Sequence, residues 1–288
     1  MKHCHLSIIC NDLPFLKQKM DFLYKNFDQL IFYDLCIYCV PMSHSTDGTY
    51  EYLQNYPDPE NKITIIDKTD INDVEGNNGK GGIEKQRMYR VGSSYVKDDI
   101  DVFWCSDMDE FCDAGLIGEV ERILENPDIS VIHMDMKTFW KNMDTFIAPP
   151  DNSGKIKMPS RIVRHIPGRV YGHCDIDSIG KVYNITDSSW LHFAWIGNKR
   201  VFEKRHHQPI PENSFFSWWK EIWNNENATM WFIPNPYYCA DYIKSKYDGE
   251  YPDYLNVDEL WKDLNDDKYE GDKGLELLKQ ESVTVRGK

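Results

Sequence analysis

The run Val102-Phe103-Trp104-Cys105-Ser106-Asp107-Met108-Asp109-Glu110-Phe111 constrains this chain more than any other stretch. Four residues of strand character lead into two carboxylates spaced i and i+2, with a third directly behind. Where a strand ends and the chain turns out of its sheet, Asp107 and Asp109 can converge on one point. Two such oxygens suit a hard divalent cation. Mg²⁺ or Mn²⁺ is commonly held by one or two carboxylates and completed by water and substrate phosphates. Acidic surface turns also produce Asp-x-Asp, but here the apolar strand before it and Phe111 after it bury one side of the motif.

The chain ahead of this motif alternates strand and helix patterns. Leu6-Ser7-Ile8-Ile9-Cys10 reads as a buried strand, and Asn11 or Asp12 can cap a helix with Pro14 in its first turn. Leu16, Met20, Leu23 and Phe27 share one face of that helix. Residues 30–40 are nearly all apolar, as in a strand covered on both faces, and Pro41 stops them. A polar loop, 43–49, precedes a short helix with Tyr50, Leu53 and Tyr56, then a strand over 62–67. Residues 68–82 are rich in Asp, Asn and Gly and read as a loop. A helix over 83–95, with Met88, Val91 and Tyr95 on one side, feeds the strand that carries Asp107. Short alternating units of this kind predict an α/β parallel sheet. Ligands of such sheets bind beyond the carboxyl ends of the strands. The loops at Asn11-Asp12, at 43–49 and at 107–110 therefore converge.

Charge and cysteine usage exclude several classes. With 33 basic and 47 acidic residues, the chain has a net charge of −14, unlike a general binder of nucleic acid or anionic membrane. Met1-Lys2-His3-Cys4-His5 leads into only a short apolar run, so no secretory signal is expected, and no segment is long enough to span a bilayer. Among the 8 cysteines, Cys10, Cys36, Cys39, Cys105 and Cys112 lie in or beside apolar runs that read as core. That favours a reduced, cytoplasmic setting over a disulfide framework. Cys36-x-x-Cys39 lies in a strand with no second ligand pair at zinc spacing, so it is read as core rather than a metal site.

The order of these motifs resembles the GT-A nucleotide-sugar glycosyltransferases, as in the inverting family-two enzymes: a strand ending near Asn11, the Ser45-Thr46-Asp47-Gly48-Thr49 loop, the Gln86-Arg87 helix and Asp107-Met108-Asp109. Farther on, Trp190-Leu191-His192-Phe193 with Gly197, Lys204 and His207 is similar to a pattern in the bisecting N-acetylglucosaminyltransferase family. The resemblance covers roughly 6–207. It implies a GT-A, Rossmann-like, mostly parallel central sheet flanked by helices, followed by an α+β acceptor-side extension. Both halves, 1–140 and 141–288, would belong to one glycosyltransferase domain. It implies that Asp107 and Asp109 hold Mn²⁺ or Mg²⁺ against the donor diphosphate, with His192 as a third ligand. Lys80 and Arg87 would face the diphosphate, and Asp47 or Asn11 would help fix the nucleoside or its loop. His192 has an alternative place in the core beside Trp190 and Trp195. Where family-two enzymes carry an acidic residue just before the Ser-x-Asp loop, this chain has Pro41-Met42, so the donor base is open.

The chemistry of sugar transfer sets its own requirements. Breaking the anomeric C–O bond of a nucleotide sugar builds negative charge on the departing diphosphate, which a divalent cation and basic groups stabilise. Lys199, Arg200, Lys204 and Arg205 follow His192 closely; equally, they form the solvated face of a helix with Val201 and Phe202 inward. An inverting reaction also needs a base for the acceptor hydroxyl. Asp175 and Asp177 are placed for that role after the metal motif, although Asp144 and Asp187 are as acidic. Residues 141–168 suggest an acceptor-side loop before a strand over 161–165. Phe215, Phe216, Trp218, Trp219, Ile222 and Trp223 form an aromatic helix, whose spacing is more typical of core than of a sugar platform. A short helix is expected over 257–264. The function expected is transfer of a sugar from a nucleotide-diphosphate sugar to a hydroxyl acceptor, a glycan. The alternatives are a metal-dependent nucleotidyltransferase and a non-catalytic carbohydrate-binding protein. The first shares the carboxylate pair, although no phosphate-binding Gly-x-x-x-x-Gly-Lys loop is present.

Overall fold

A computed structural model describes residues 1–36, 44–67, 81–148, 156–157, 161–172, 180–206, 217–225, 243–271, 273–274 and 276–277. In chain order the elements are β1 (His3–Ile9), α1 (Leu13–Asn26), β2 (Gln29–Asp34), α2 (Thr49–Asn55), β3 (Ile63–Ile66), α3 (Gly81–Ser93), β4 (Val102–Cys105) and β5 (Glu110–Phe111). They continue as α4 (Leu116–Leu124), β6 (Ile129–Lys141), β7 (Thr145–Ala148), β8 (Ile156–Lys157), β9 (Ile162–Arg164), β10 (Lys181–Ile196) and α5 (Asn198–His206). A π-helical turn (Trp219–Trp223), β11 (Ile243–Lys246) and α6 (Val257–Leu264) follow. The chain divides into two compact units: 1–136 with 157–190 and 251–255, and 137–156 with 191–250 and 256–288.

In the first unit the strands run in the order β3-β2-β1-β4-β9-β6. The first four are mutually parallel, with Tyr33 opposite Ile66, Ile9 opposite Asp34 and Leu6 opposite Cys105. β9 joins β4 antiparallel, and β6 joins β9 antiparallel. The architecture is therefore mixed α/β, with a partly parallel sheet flanked by helices, rather than parallel throughout.

Every residue of β1 is buried, and its period-two alternation assigns the two faces. Cys4, Leu6 and Ile8 join Ile31, Tyr33, Met88, Tyr89, Phe103, Cys105 and Val163 in one core. α3 packs so closely there that a Cβ on Gly92 would lie 2.6 Å from a Leu6 methyl, which explains glycine at that position. His3 and His5 go to the other face, where their rings pack edge-on against Phe27 just past α1. The Trp104 indole N–H donates to His3 Nδ1 at 2.9 Å, so the buried imidazole has a partner.

Two expectations are corrected. The strand expected over 30–40 ends at Asp34, whose side chain turns to serve the following loop; residues 37–43 lie outside the described ones. The cysteines are not all reduced core thiols. Cys105 and Cys112 are buried and free, but Cys10 and Cys36 are joined by a disulfide, with Cα atoms 4.8 Å apart. The reason is the parallel register: Ile9 lies opposite Asp34, so residues just past both strand ends meet. Cys39 lies outside the described residues. Among the described residues no helix is long and apolar enough to cross a membrane.

In the second unit β6 pairs with β7 through Thr138–Ile147 and Phe139–Phe146, and β7 pairs with β11, all antiparallel. Its core is indole-rich: Trp140, Trp195, Trp218, Trp219 and Trp223 pack with Val201, Phe202 and Ile222. Trp218, Trp219, Ile222 and Trp223 of the aromatic segment are thus core, while Phe215 and Phe216 lie outside the described residues, and Val201 and Phe202 do point inward from α5. α6 spans the expected residues, and Asn256 caps it by accepting from the Glu259 N–H at 3.1 Å. The long strands β6 and β10 and the helix α4 were not anticipated.

Candidate functional site

The strand order identifies a particular crevice. β2 and β3 extend the sheet to one side of β1, and β4 lies on the other. The order reverses between β1 and β4, and in an open parallel sheet the ligand crevice lies outside the carboxyl ends at such a reversal. The residues that leave those two ends are Cys10-Asn11-Asp12 and Ser106-Asp107.

β4 is fully buried, so its end is held rigidly. The Ser106 N–H donates to the Leu6 carbonyl at 3.2 Å, and the Ser106 hydroxyl meets His5 Nε2 at 2.8 Å. Ser7 Oγ donates to the Ser106 carbonyl. The chain then closes a four-residue turn, the Glu110 N–H donating to the Asp107 carbonyl at 3.2 Å. Met108 is fully buried at its centre.

Three positively charged side chains surround this turn. From α3, Lys85 Nζ lies 2.6 Å from Asp107 Oδ2, and the Tyr89 hydroxyl donates to Asp107 Oδ1 at 2.8 Å. Lys85 and Tyr89 are four apart and share a helix face. Arg161, just before β9, donates to Glu110 Oε1 at 2.7 Å with both side chains buried, while Glu110 Oε2 accepts from the Asp107 N–H at 3.0 Å. From α1, the buried Lys19 ammonium donates to Ser106 Oγ at 3.2 Å, the Asp107 carbonyl at 3.2 Å and the Glu110 carbonyl at 2.6 Å. It also lies 5.6 Å from the Phe111 ring centroid.

These surroundings shift proton affinities. Burial pushes the Glu110 carboxyl up to about 7; the Arg161 guanidinium opposes that rise, and Asp107 and Asp109 add to it. Burial pulls the Lys19 ammonium down, with Glu110, Asp109 and Asp107 among the groups opposing it. Burial raises the Tyr89 phenol well above its usual value, and Asp107 raises it further. Burial also holds the His5 imidazole well below the usual histidine range, so it is neutral near pH 7.

Beside this turn the β1 and β2 loops are stitched together. Asn11, at φ 53°, donates its N–H to Ser45 Oγ at 2.9 Å and accepts from the Thr46 N–H at 2.7 Å. Asp12 does not cap α1 with its own side chain, which turns back to the Cys10 N–H. Asp47 serves instead: its carboxylate accepts from the Leu13 N–H at 3.1 Å, the Thr49 N–H at 3.0 Å and the Thr49 hydroxyl. Asp34, fully buried, accepts from the Ser45 N–H and hydroxyl.

The expected residues thus divide. Asn11 and Asp47 meet in the loop pair, and Asp107 and Asp109 share the turn at the crevice. The Asp107 side chain keeps 21% exposure, whereas Asp109 is buried at 4%. Arg87 is half-buried on α3, two residues from Lys85 and Tyr89 and so on a different helix face. His192 belongs to the second unit, where its Nδ1 lies 3.2 Å from Thr138 Oγ1. Lys204 lies on α5, with its side chain outside the described residues, as are Lys80, Asp175 and Asp177 altogether. Glu110 was read only as the third carboxylate of the motif, and Lys19, Lys85, Tyr89 and Arg161 were missed. Only the Lys85-x-x-x-Tyr89 spacing could have pointed to any of them. Among the described residues no group of three or more His, Cys, Asp or Glu side chains is arranged to hold a metal ion. The turn itself offers two carboxylates, a donor set whose hard oxygens fit Mg²⁺ or Mn²⁺ completed by water and phosphate.

No family model and no curated protein sequence matches the chain. Solved structures with some likeness include S. aureus TarS 1–349, at a TM-score of 0.43 and 13% identity over 78% of this chain and 71% of that one. The same protein with UDP-GlcNAc scores 0.42 at 13% identity, over 78% and 72%. The 4-diphosphocytidyl-2C-methyl-D-erythritolsynthase of Anaerococcus prevotii scores 0.39 at 8% identity, over 64% and 86%.

Proposed function

We propose that this chain is a metal-dependent GT-A glycosyltransferase that moves a sugar from a nucleotide-diphosphate sugar to a hydroxyl acceptor, a glycan. The observation that carries the reading is the position of the Asp107–Glu110 turn at the sheet's reversal crevice, with a surface-facing ammonium from Lys85 on Asp107. In the reaction the acceptor oxygen bonds to the anomeric carbon, the C–O bond to the diphosphate breaks, and its electron pair leaves with the diphosphate. Asp107 and Asp109 would hold Mn²⁺ or Mg²⁺, which when bound neutralises charge on that leaving group. Lys85 adds a positive charge at the same place, and Arg87 and Lys204 are further candidates for the diphosphate. Asn11 and Asp47 shape the loop that borders the nucleoside. Asp175 and Asp177 are the candidate bases for the acceptor proton, which an inverting reaction requires.

The test is a panel of nucleotide sugars and glycan acceptors with and without Mn²⁺, read by product release. Free nucleoside diphosphate with sugar on the acceptor is expected. Pyrophosphate release would move the reading to nucleotidyl transfer, and donor binding without turnover would leave a binding protein. His192 is tested separately. If it is a third ligand, His192→Ala raises the Mn²⁺ concentration for half-maximal rate; an unchanged titration returns it to its contact with Thr138.

A further inference from the structure

We infer that Lys19 is the positioning residue of the Asp107–Glu110 turn: its ammonium gathers Ser106 Oγ and the Asp107 and Glu110 carbonyls, and so sets the geometry of the two carboxylates. The inference rests on the reading of that turn as the cation site. Lysine is almost never fully buried unless paired, and Lys19 is 1% exposed. Its three hydrogen bonds reach neutral oxygens, all within one five-residue segment. An ammonium has three N–H donors, so this segment takes all of them. Around Lys19 the buried face of α1 is apolar, with Phe15, Leu16, Met20, Phe22 and Leu23. A methionine of similar length would suit that face at a smaller desolvation cost. The ammonium therefore serves the turn rather than the helix. Lys19 grips the first and last carbonyls of the turn, while Glu110, anchored by Arg161, holds its first N–H from the side chain. The backbone between them carries Asp107 and Asp109, and neither can shift without breaking one of these bonds.

Lys19→Met provides the test because positioning and charge predict opposite outcomes. Removing a cation from behind two carboxylates strengthens Mn²⁺ binding if Lys19 acts only through its field. It weakens binding if Lys19 holds the geometry. Two readouts are needed on the whole chain. Amide exchange of the backbone over 106–111 requires no metal; it is expected to rise at least tenfold over wild type, with β1 and β4 unchanged. Unchanged exchange in the turn overturns the inference. Mn²⁺ titration by calorimetry, with and without a nucleoside diphosphate, is expected to show at least tenfold weaker binding in Lys19→Met; equal or tighter binding also overturns it. A Leu23→Ala variant controls for general loosening of α1 and is expected to leave both readouts unchanged. If it moves them equally, Lys19 is only part of the helix packing, and the inference fails. Wild type that binds neither Mn²⁺ nor nucleotide would sink the glycosyltransferase reading, while the exchange measurement still decides what Lys19 does.

Discussion

The carboxylates that follow β2 and those that follow β4 leave the same edge of one parallel sheet, yet their partners differ in kind. Asp34 and Asp47 accept from main-chain N–H groups and neighbouring hydroxyls: Ser45, Leu13 and Thr49. Those donors are mostly main-chain N–H groups whose positions the backbone fixes, so these carboxylates close the loop and start α1 and α2. Asp107 accepts instead from Lys85 and Tyr89, and both it and Lys85 remain partly exposed. Side-chain donors can rotate away when a cation or phosphate arrives. An acidic residue at a strand end is thus a loop fastener or a ligand according to what donates to it, and the residue type alone does not say which.

Four substitutions or conditions would break or sharpen this contrast. The largest effect is expected for Asp109→Ala, which should lower sugar transfer about a thousandfold or more, on the order of 4 kcal/mol, with thermal stability nearly unchanged. Full activity in that variant would remove the carboxylate pair from the chemistry. Asp47→Ala should do the reverse. Losing the acceptor for two helix starts costs about 2 kcal/mol of stability, a fall in Tm of several degrees, while Mn²⁺ affinity holds. If affinity falls instead, the loop is part of the cation site. Lys85→Met should cost under about 1 kcal/mol of stability, because the pair is partly exposed. Its donor KM should rise about tenfold, and an unaffected KM would make Lys85 a surface ion pair only.

The smallest effect concerns pH and separates scaffold from site. Burial lowers the folded-state pKa of His3, His5 and His165. The unfolded chain therefore binds more protons below its histidine pKa of about 6.5, and stability present above that pH is lost as the pH falls through it. Glu110, raised to about 7, acts in the opposite sense over the same window, because a folded state that binds its proton more tightly gains stability as the pH falls. Melting curves between pH 7.5 and pH 5 are therefore compared pairwise: wild type should lose more Tm on acidification than His5→Phe, and an equal change in the two would contradict neutral burial of His5.

Much of the first unit was legible from period and punctuation. The apolar face of α1 and the strands that became β1, β3 and β4 appear where the pattern of side chains demands them. The 257–264 helix was readable because Asn256-x-x-Glu259 caps an amphipathic run. β10 escaped notice because its burial changes along its length, from largely exposed at Lys181 to buried at Ile196, so no single period describes it; β6 alternates buried and half-buried residues over 132–138, a period-two pattern that was legible and passed over. The Cys10–Cys36 bridge depends on strand register, which no local pattern specifies.

The sequence by itself determined the order of strands and helices from β1 to β4, the acidic motif at the end of a buried strand, and the carboxyl edge as the place for ligand chemistry. These follow from local preferences, since alternation and capping act over a few residues. Only the tertiary structure decided which carboxylates are committed and which are held by exchangeable donors. Lys19 lies 88 residues from Asp107, and Arg161 lies 51 residues from Glu110. Charges bury themselves only where distant segments bring matching donors and acceptors together, and such pairings leave no periodic trace in the chain.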